Sequence, residues 1–231
     1  MRTVLITDPT HPAAAAVAAR LRAEGFTVFE GGDFSTDAGA RETFSRTGPV
    51  DALIISGHTG YRGLIRDGEG RAIAEAGNKN IMAAYLAARQ YGLPMMQRGQ
   101  GCVIFLTSPH SQKPTVSNAA YSVSQGALTM MMKELALYYG HYGVRVNSVS
   151  LGAMRQEEDM FFSEIAGGEY DAETKIPLGR RATGEDAAGA VSFLLSDDAA
   201  FVNGDTLSVD GGHFYYYFDR PYADKEGVTL P

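Results

Sequence analysis

Cysteine is nearly absent from this sequence. Cys102 is the only cysteine among 231 residues, so the chain can form no internal disulfide. It lies in a short apolar run that ends at Leu106. In such a run a cysteine is expected to be a small core residue rather than a nucleophile.

Long apolar runs and clusters of positive charge are also missing. No run reaches the length of about 20 residues that a membrane-spanning helix needs, and the opening MRTVLITD lacks the pattern of a secretory signal. The net charge is −7 with no Lys/Arg cluster, which disfavours nucleic acid and anionic membranes as partners. We therefore expect a cytoplasmic protein.

Metal-binding patterns are lacking as well. The five histidines show no ligand spacing such as H-E-x-x-H, so no metal is expected. Each is expected in a turn or at the surface: His11, His58, His110, His141 and His213.

What the sequence does contain is a regular alternation of strands and helices. Predicted strands lie at 3–7, 26–30, 51–56, 102–106, 143–149 and within 206–212, and predicted helices at 13–24, 36–46, 72–91, 119–139 and 184–196. This alternation predicts an α/β fold with a doubly wound parallel sheet. A chain of this length suits a single domain with a sizeable core.

Residues 101–125 form the centre of this pattern. They begin with a buried strand that ends at Thr107 and Ser108, and a helix opens near Asn118. Ser108 and Tyr121 are thus thirteen positions apart, one at a strand end and one on the first turns of the following helix. Ligands of open α/β sheets bind at the carboxyl ends of the strands.

This pair resembles the catalytic residues of the short-chain dehydrogenase/reductase superfamily. That family has a Ser at a strand end, a Tyr thirteen residues later and a Lys four residues after the Tyr; here the third residue is Gln125. Residues 177–212 resemble the family's C-terminal signature. The resemblance implies a Rossmann-like sheet over residues 1–213, and the aromatic tail 214–231 is expected at a subunit interface or over the chain's own cleft.

The first turn of the sheet departs from the family pattern. Asp8, Pro12 and Ala14 stand where the family has three glycines. Glycine lets the backbone approach a pyrophosphate at a helix N-terminus. Here a carboxylate lies where phosphate would bind, and proline removes an N–H donor. We therefore expect this chain to bind no cofactor, with NAD(P) held only in a partner subunit.

Other parts of the expected cofactor site are altered too. One β-α unit after strand 26–30 is missing, so the fold is shortened in its second β-α unit. Asp33 could contact a ribose, but we favour a loop or helix-capping role. His58 interrupts the turn that resembles the family's Asn-Asn-Ala-Gly. Asn80, or alternatively Asn78, matches a structural or catalytic Asn of the family, and a buried packing role is an equal alternative.

The resemblance assigns proton transfer to Tyr121 and substrate orientation to Ser108. A free phenol has a pKa near ~10 and needs a neighbouring positive charge to ionise at neutral pH. Gln125 supplies no charge, so we expect Tyr121 to remain a neutral donor in a vestigial or atypical site. With four parts of the machinery altered, hydride transfer by this chain alone is not expected.

Two functional hypotheses follow. In the first, the chain is a non-catalytic subunit of a hetero-oligomer that stabilises an active paralogue, as the resemblance to hydroxyacyl-CoA-type dehydrogenases suggests. The tetramer contacts would be helices 72–91 and 119–139 and the C-terminal strand. In the second, Ser108 and Tyr121 serve a cofactor-independent lyase, isomerase or dehalogenase. The halohydrin dehalogenases are similar, although Pro12 and Gln125 depart from their pattern.

Overall fold

A parallel sheet of six strands forms the centre of the computed structural model, which describes residues 2–57, 70–114, 119–154 and 173–215. The spatial order is β2-β1-β3-β4-β5-β6, and each neighbouring pair is parallel. The strands are β1 Thr3–Ile6, β2 Thr27–Glu30, β3 Ala52–Ser56, β4 Gly101–Thr107, β5 Val144–Leu151 and β6 Thr206–Val209.

Helices cover both faces of this sheet. They are α1 Ala14–Ala23, α2 Asp37–Thr47, α3 Gly70–Ala76, α4 Ala83–Arg98, α5 Ala119–Gly140 and α6 Gly184–Leu195, with a π-helical segment at Gly77–Met82 between α3 and α4. None of the helices in the described ranges is long and apolar enough to cross a bilayer.

The apolar residues of β4 divide between two cores. Ile104 and Leu106 pack with α1 and α6 on one face, whereas Val103 and Phe105 pack with α4 and α5 on the other. Successive side chains of a strand point to opposite faces, so a strand buried on both faces reads as a continuous apolar run. The predicted doubly wound α/β fold is confirmed.

The predicted helix 72–91 differs most from the structure. Its region begins at Gly70, contains the π-helical segment and continues through Pro94 to Arg98. Proline usually ends a helix because its ring clashes with the preceding turn. Here the extension beyond residue 91 is held by the core, where Met95 is completely buried. The helix ends at Gly99, which has a φ of +71°.

A tyrosine cluster closes the far end of α5 against α4. Tyr139 is buried and its hydroxyl donates a 3.0 Å hydrogen bond to the carbonyl of Ala88. Burial raises the pKa of Tyr139 to about 12. Gly92 permits this contact because a Cβ there would lie 2.4 Å from the Tyr139 ring. Tyr138 contacts the rings of Tyr139 and Tyr142, with centroids 5.9 Å apart in each pair, but is itself exposed.

A capping box begins α6. The Thr183 hydroxyl accepts a hydrogen bond from the Asp186 N–H, and the Asp186 carboxylate accepts one from the Thr183 N–H at 2.8 Å. Arg180 donates two bonds of 2.7 and 2.8 Å to the same carboxylate. The pKa of Asp186 is held well below its ordinary value, first by the bonds from Arg180. The capping box therefore fixes the residue at which α6 begins, and this helix packs against β4, β5 and β6.

We predict that Thr183→Ala lowers the free energy of unfolding by about 1 kcal/mol, because the N-terminal amides of α6 lose their side-chain acceptor. Thr183→Ser keeps the hydroxyl and is the matched control, with an expected change of less than about half that amount. Urea unfolding of the three proteins measures the difference. Equal losses in both variants would show that the threonine methyl group, and not the cap, stabilises this helix.

Candidate active site

Ser108 lies directly after β4, at the carboxyl edge of the sheet. It is buried, and its Oγ accepts a 3.3 Å hydrogen bond from the N–H of His110. This bond caps a 3₁₀ turn at Pro109–Ser111. A serine hydroxyl that accepts one bond can still donate its own hydrogen. The turn therefore orients Ser108 as a donor at the strand end.

Tyr121 lies on the first turn of α5 and is half-buried. Its ring packs edge-on against the ring of His110, with centroids 6.1 Å apart. Ser108 and Tyr121 thus both adjoin His110. The structure brings together the two residues that the sequence predicted for catalysis, and it adds a histidine that the sequence analysis assigned to a turn or the surface. In the sequence, only the position of His110, two residues after Ser108, indicated that this histidine would lie at the site.

Gln125 lies one helical turn after Tyr121 and is completely buried. Its Nε2 donates a 2.6 Å hydrogen bond to the carbonyl of Gly57, just after β3. The other amide atom, Oε1, has no hydrogen-bond partner among the described residues. In the structure this side chain joins α5 to the end of β3 instead of reaching an open surface.

Asn80 supports the same region from the π-helical segment. It is 1% exposed, and its Nδ2 donates a 2.9 Å hydrogen bond to Ser124 Oγ. That hydroxyl donates to the backbone carbonyl of Tyr121 at 2.8 Å. Asn80 therefore supports the backbone of α5 at Tyr121 through the Ser124 hydroxyl. This arrangement favours the packing role for Asn80. The predicted turn at His58 lies outside the described residues.

The first turn after β1 satisfies its own hydrogen bonds. Asp8 Oδ1 accepts from both the N–H and the hydroxyl of Thr10, at 2.9 and 2.6 Å. His11 is buried; its Nδ1 accepts from the Ala13 N–H at 3.1 Å, and its carbonyl accepts from the Ala14 N–H at 2.8 Å. These amides stand at the N-terminus of α1.

A bound pyrophosphate needs unpaired N–H groups at the start of the helix. In this turn the donors of Thr10, Ala13 and Ala14 are already used, and Pro12 has none. The residues present therefore do not fit a dinucleotide at the first turn. That the whole chain binds no dinucleotide stays a prediction.

Asp33 lies in the loop before α2, where its Oδ1 accepts from the N–H and hydroxyl of Ser35 at 2.8 and 2.6 Å. These bonds lower the pKa of Asp33. Thr36, not Asp33, caps α2. Asp33 therefore orders its own loop, in line with the favoured loop interpretation.

Several basic residues lie near His110. We call His110, Lys113, Lys175 and His213 the basic cluster. Lys113 Nζ donates to the carbonyl of His213 at 3.3 Å, and the Lys113 carbonyl lies 3.1 Å from His110 Nδ1. Burial, then the charge of Lys113, lowers the pKa of Lys175 and that of His213. Within the described ranges no group of three or more His, Cys, Asp or Glu could hold a metal.

Comparison with known proteins identifies the class. A family model described as "Enoyl-(Acyl carrier protein) reductase" matches residues 3–213. A 3beta-hydroxysteroid dehydrogenase 1 from Eggerthella lenta is 30% identical, with 93% of this chain and 94% of that protein covered. An uncharacterized oxidoreductase of Bacillus subtilis is 29% identical, with 78% and 74% covered.

A crystal structure described as an oxidoreductase of the short chain dehydrogenase/reductase family, from Burkholderia thailandensis, has the same fold. Its TM-score is 0.84 at 24% identity, and 93% of each chain is covered. This chain belongs to the short-chain dehydrogenase/reductase superfamily.

The hypothesis of a non-catalytic subunit is wrong, and its cofactor-independent alternative falls with it. The relatives are named as oxidoreductases and dehydrogenases, including Glucose 1-dehydrogenase 2 of Bacillus subtilis, 33% identical with 59% of this chain and 53% of that protein covered. One relative, 30% identical, is named an inactive hydroxypropyl-CoM dehydrogenase. The sequence argument counted missing cofactor motifs, and these say little about the separate site at Ser108 and Tyr121.

We predict that Gln125→Glu destabilises the fold in a pH-dependent way. A neutral carboxylic acid can donate to the Gly57 carbonyl as the amide does, whereas a buried carboxylate faces that carbonyl without a proton. Burial raises the folded-state pKa above the unfolded value of about 4.3. The stability of the variant is therefore retained below about pH 4.3 and lost as pH rises through the folded-state pKa.

Chemical denaturation at about pH 5 and about pH 8 measures this effect, with an expected deficit of about 2 kcal/mol or more at the higher pH. Gln100→Glu, at an exposed position, is the control and should show no such slope. A deficit that does not change with pH would contradict the donor role of Gln125.

Proposed function

We propose that this chain is an oxidoreductase that acts on an alcohol or carbonyl compound, with Ser108 and Tyr121 holding the reacting oxygen. The observation that carries the proposal is that both residues contact His110 at the carboxyl edge of the sheet, Ser108 through its Oγ and Tyr121 through its ring. The dehydrogenase names of the relatives support the same reaction class.

Two hydroxyl donors suit a carbonyl oxygen that gains negative charge. Ser108 is oriented by its turn, and the Tyr121 backbone is fixed by the bond from Ser124. Donors that are already placed when the charge develops stabilise the transition state without reorganisation. In the reduction direction Tyr121 would give its proton to the oxygen, and in oxidation it would receive that proton.

The hydride would come from, or pass to, a nicotinamide dinucleotide, as in dehydrogenases. The closed first turn does not fit its pyrophosphate, so this chain would hold the dinucleotide only weakly. We propose that the first turn holds no dinucleotide and that any affinity of this chain for it is weaker than about 1 mM. Calorimetric titration with NADH and NADPH tests this proposal.

We also propose that α4 and α5, with the C-terminal strand, contact another subunit of the same family. Both helices expose large apolar side chains: Tyr85, Leu93, Met130, Leu137 and Tyr138. Contiguous exposed apolar surface marks an interaction site. Light scattering after size-exclusion chromatography measures the molecular mass of the assembly and so tests this proposal.

A cytoplasmic location of this chain stays a proposal. An interfacial role for the tail 214–231 also stays a proposal, since residues 216–231 lie outside the described ranges.

The function is tested by following oxidation of NADH and NADPH, each supplied at about 1 mM, with a panel of ketones. We predict that Tyr121→Phe lowers kcat/KM roughly 100-fold or more, because the proton donor is lost. Tyr142→Phe, at an exposed position just after the same helix, is the matched control and should be unchanged.

Two results would overturn the proposal. One is the absence of turnover with every ketone and both dinucleotides in a folded sample. The other is turnover that persists in Tyr121→Phe, since the reaction would then not use this site.

A further inference from the structure

We propose that a polar cavity between α5 and β6 binds an uncharged ring compound that carries several hydroxyl groups. The cavity has a volume of about 280 Å³, and neither Ser108 nor Tyr121 is among the described residues that line it. The inference therefore goes beyond the proposed function and does not depend on it.

The face of β5 that lies under α5 changes from apolar to polar along the strand. Val146 is packed in the core that α4 and α5 cover. Since every second side chain of a strand points to the same face, Ser148 and Ser150 follow Val146 on that side. In the parallel register Ser148 lies opposite Thr206 of β6, and Ser150 lies opposite Ser208. Four hydroxyl groups therefore stand together at this side of the sheet.

Ser150 has a buried hydroxyl group that no described residue satisfies. The residue is 5% exposed and lines the cavity, and its hydroxyl forms no hydrogen bond with the described part of the chain. By contrast, the hydroxyl oxygens of Ser148 and Thr206 lie 2.7 Å apart and satisfy each other. A buried hydroxyl without a partner costs free energy, so Ser150 indicates a ligand in the cavity.

The other walls of the cavity suit a ring with hydroxyl groups at its edges. Ser208 is exposed beside Ser150, so it can contact the same ligand. A serine hydroxyl is one donor and two acceptors, which matches the hydrogen bonding of a ligand hydroxyl. Phe214 and Tyr215 also line the cavity, with ring centroids 5.3 Å apart. Their rings offer an apolar surface to the C–H groups of the ligand.

The charged residues of the cavity favour a neutral ligand. Lys133 of α5 and Asp205, just before β6, are the charged side chains among the described lining residues. Both are exposed, and their charges are opposite. A charged ligand would be attracted by one of them and repelled by the other, whereas a neutral hydroxyl group can bond to both.

The size and position of the cavity allow a small molecule to enter. Small-molecule sites usually measure about 300 to 1,000 Å³, so a cavity of about 280 Å³ suits a single six-membered ring. The contact proposed above between the C-terminal strand and another subunit involves the outer edge of β6. The hydroxyl groups of the cavity stand instead on the face of that strand.

Ligand-detected NMR titration with D-glucose and with myo-inositol tests this inference. Cyclohexanol is the matched probe, because it keeps a six-membered ring but has one hydroxyl group. We expect at least one of the two polyhydroxyl probes to bind with a Kd of about 1 to 10 mM, and cyclohexanol to bind at least roughly tenfold more weakly.

Two variants test the walls of the cavity. Ser150→Ala and Ser208→Ala should each raise the Kd of the bound probe roughly threefold or more, because each removes a hydrogen bond to the ligand. Ser150→Ala should leave the melting temperature unlowered, since no described residue loses a partner. Ser45→Ala, at an exposed position on α2, is the matched control and should leave the Kd unchanged.

Tyr121→Phe shows whether a probe binds at the candidate active site, and it should also leave the Kd unchanged. A weaker Kd in that variant would overturn the inference. Failure of both polyhydroxyl probes to bind, equal binding of cyclohexanol, or binding that survives both serine variants would do so as well. None of these outcomes decides the proposed function, which is tested by turnover of ketones.

Discussion

Burial of both faces of one parallel sheet is the constraint on which the rest of the structure depends. The apolar strands β3 and β4 can be covered only by helices on each side, and their side chains alternate between the two cores. The polar residues that follow these strands then lie at one edge of the sheet. Ser108 and Gly57 are both placed in this way. The start of α5 reaches the same edge through Tyr121, whose ring packs on His110, and through Gln125, which donates to the carbonyl of Gly57.

The edge of the sheet combines two chemically different regions. Around His110, hydroxyl groups and basic side chains face partly into solvent. At the first turn, by contrast, Asp8 and His11 use the backbone donors that a pyrophosphate would need. A ligand that used these donors would have to replace the hydrogen bonds formed within the turn. The hydrogen bonds of the first turn therefore carry no information about the residues around His110.

The glutamine at position 125 makes a different contact from the one that a lysine would make there. A lysine there would bring a charge toward Tyr121 and a ribose, according to the family resemblance. The amide instead donates to the carbonyl of Gly57 at full burial, so it strengthens the contact between α5 and β3. The loop after β4 instead brings Lys113 to His110 and His213.

The sequence by itself determined the doubly wound α/β fold and its main elements, because these follow from local apolar periodicity, whereas the pairing of Ser108 with Tyr121 followed from the family resemblance. It could not show the continuation of α4 through Pro94, which depends on burial of Met95. Nor could it show the basic cluster, whose members lie as much as 100 residues apart along the chain. Only the tertiary structure decided these features, because contacts and charge repulsion depend on distance in space, which sequence separation does not reveal.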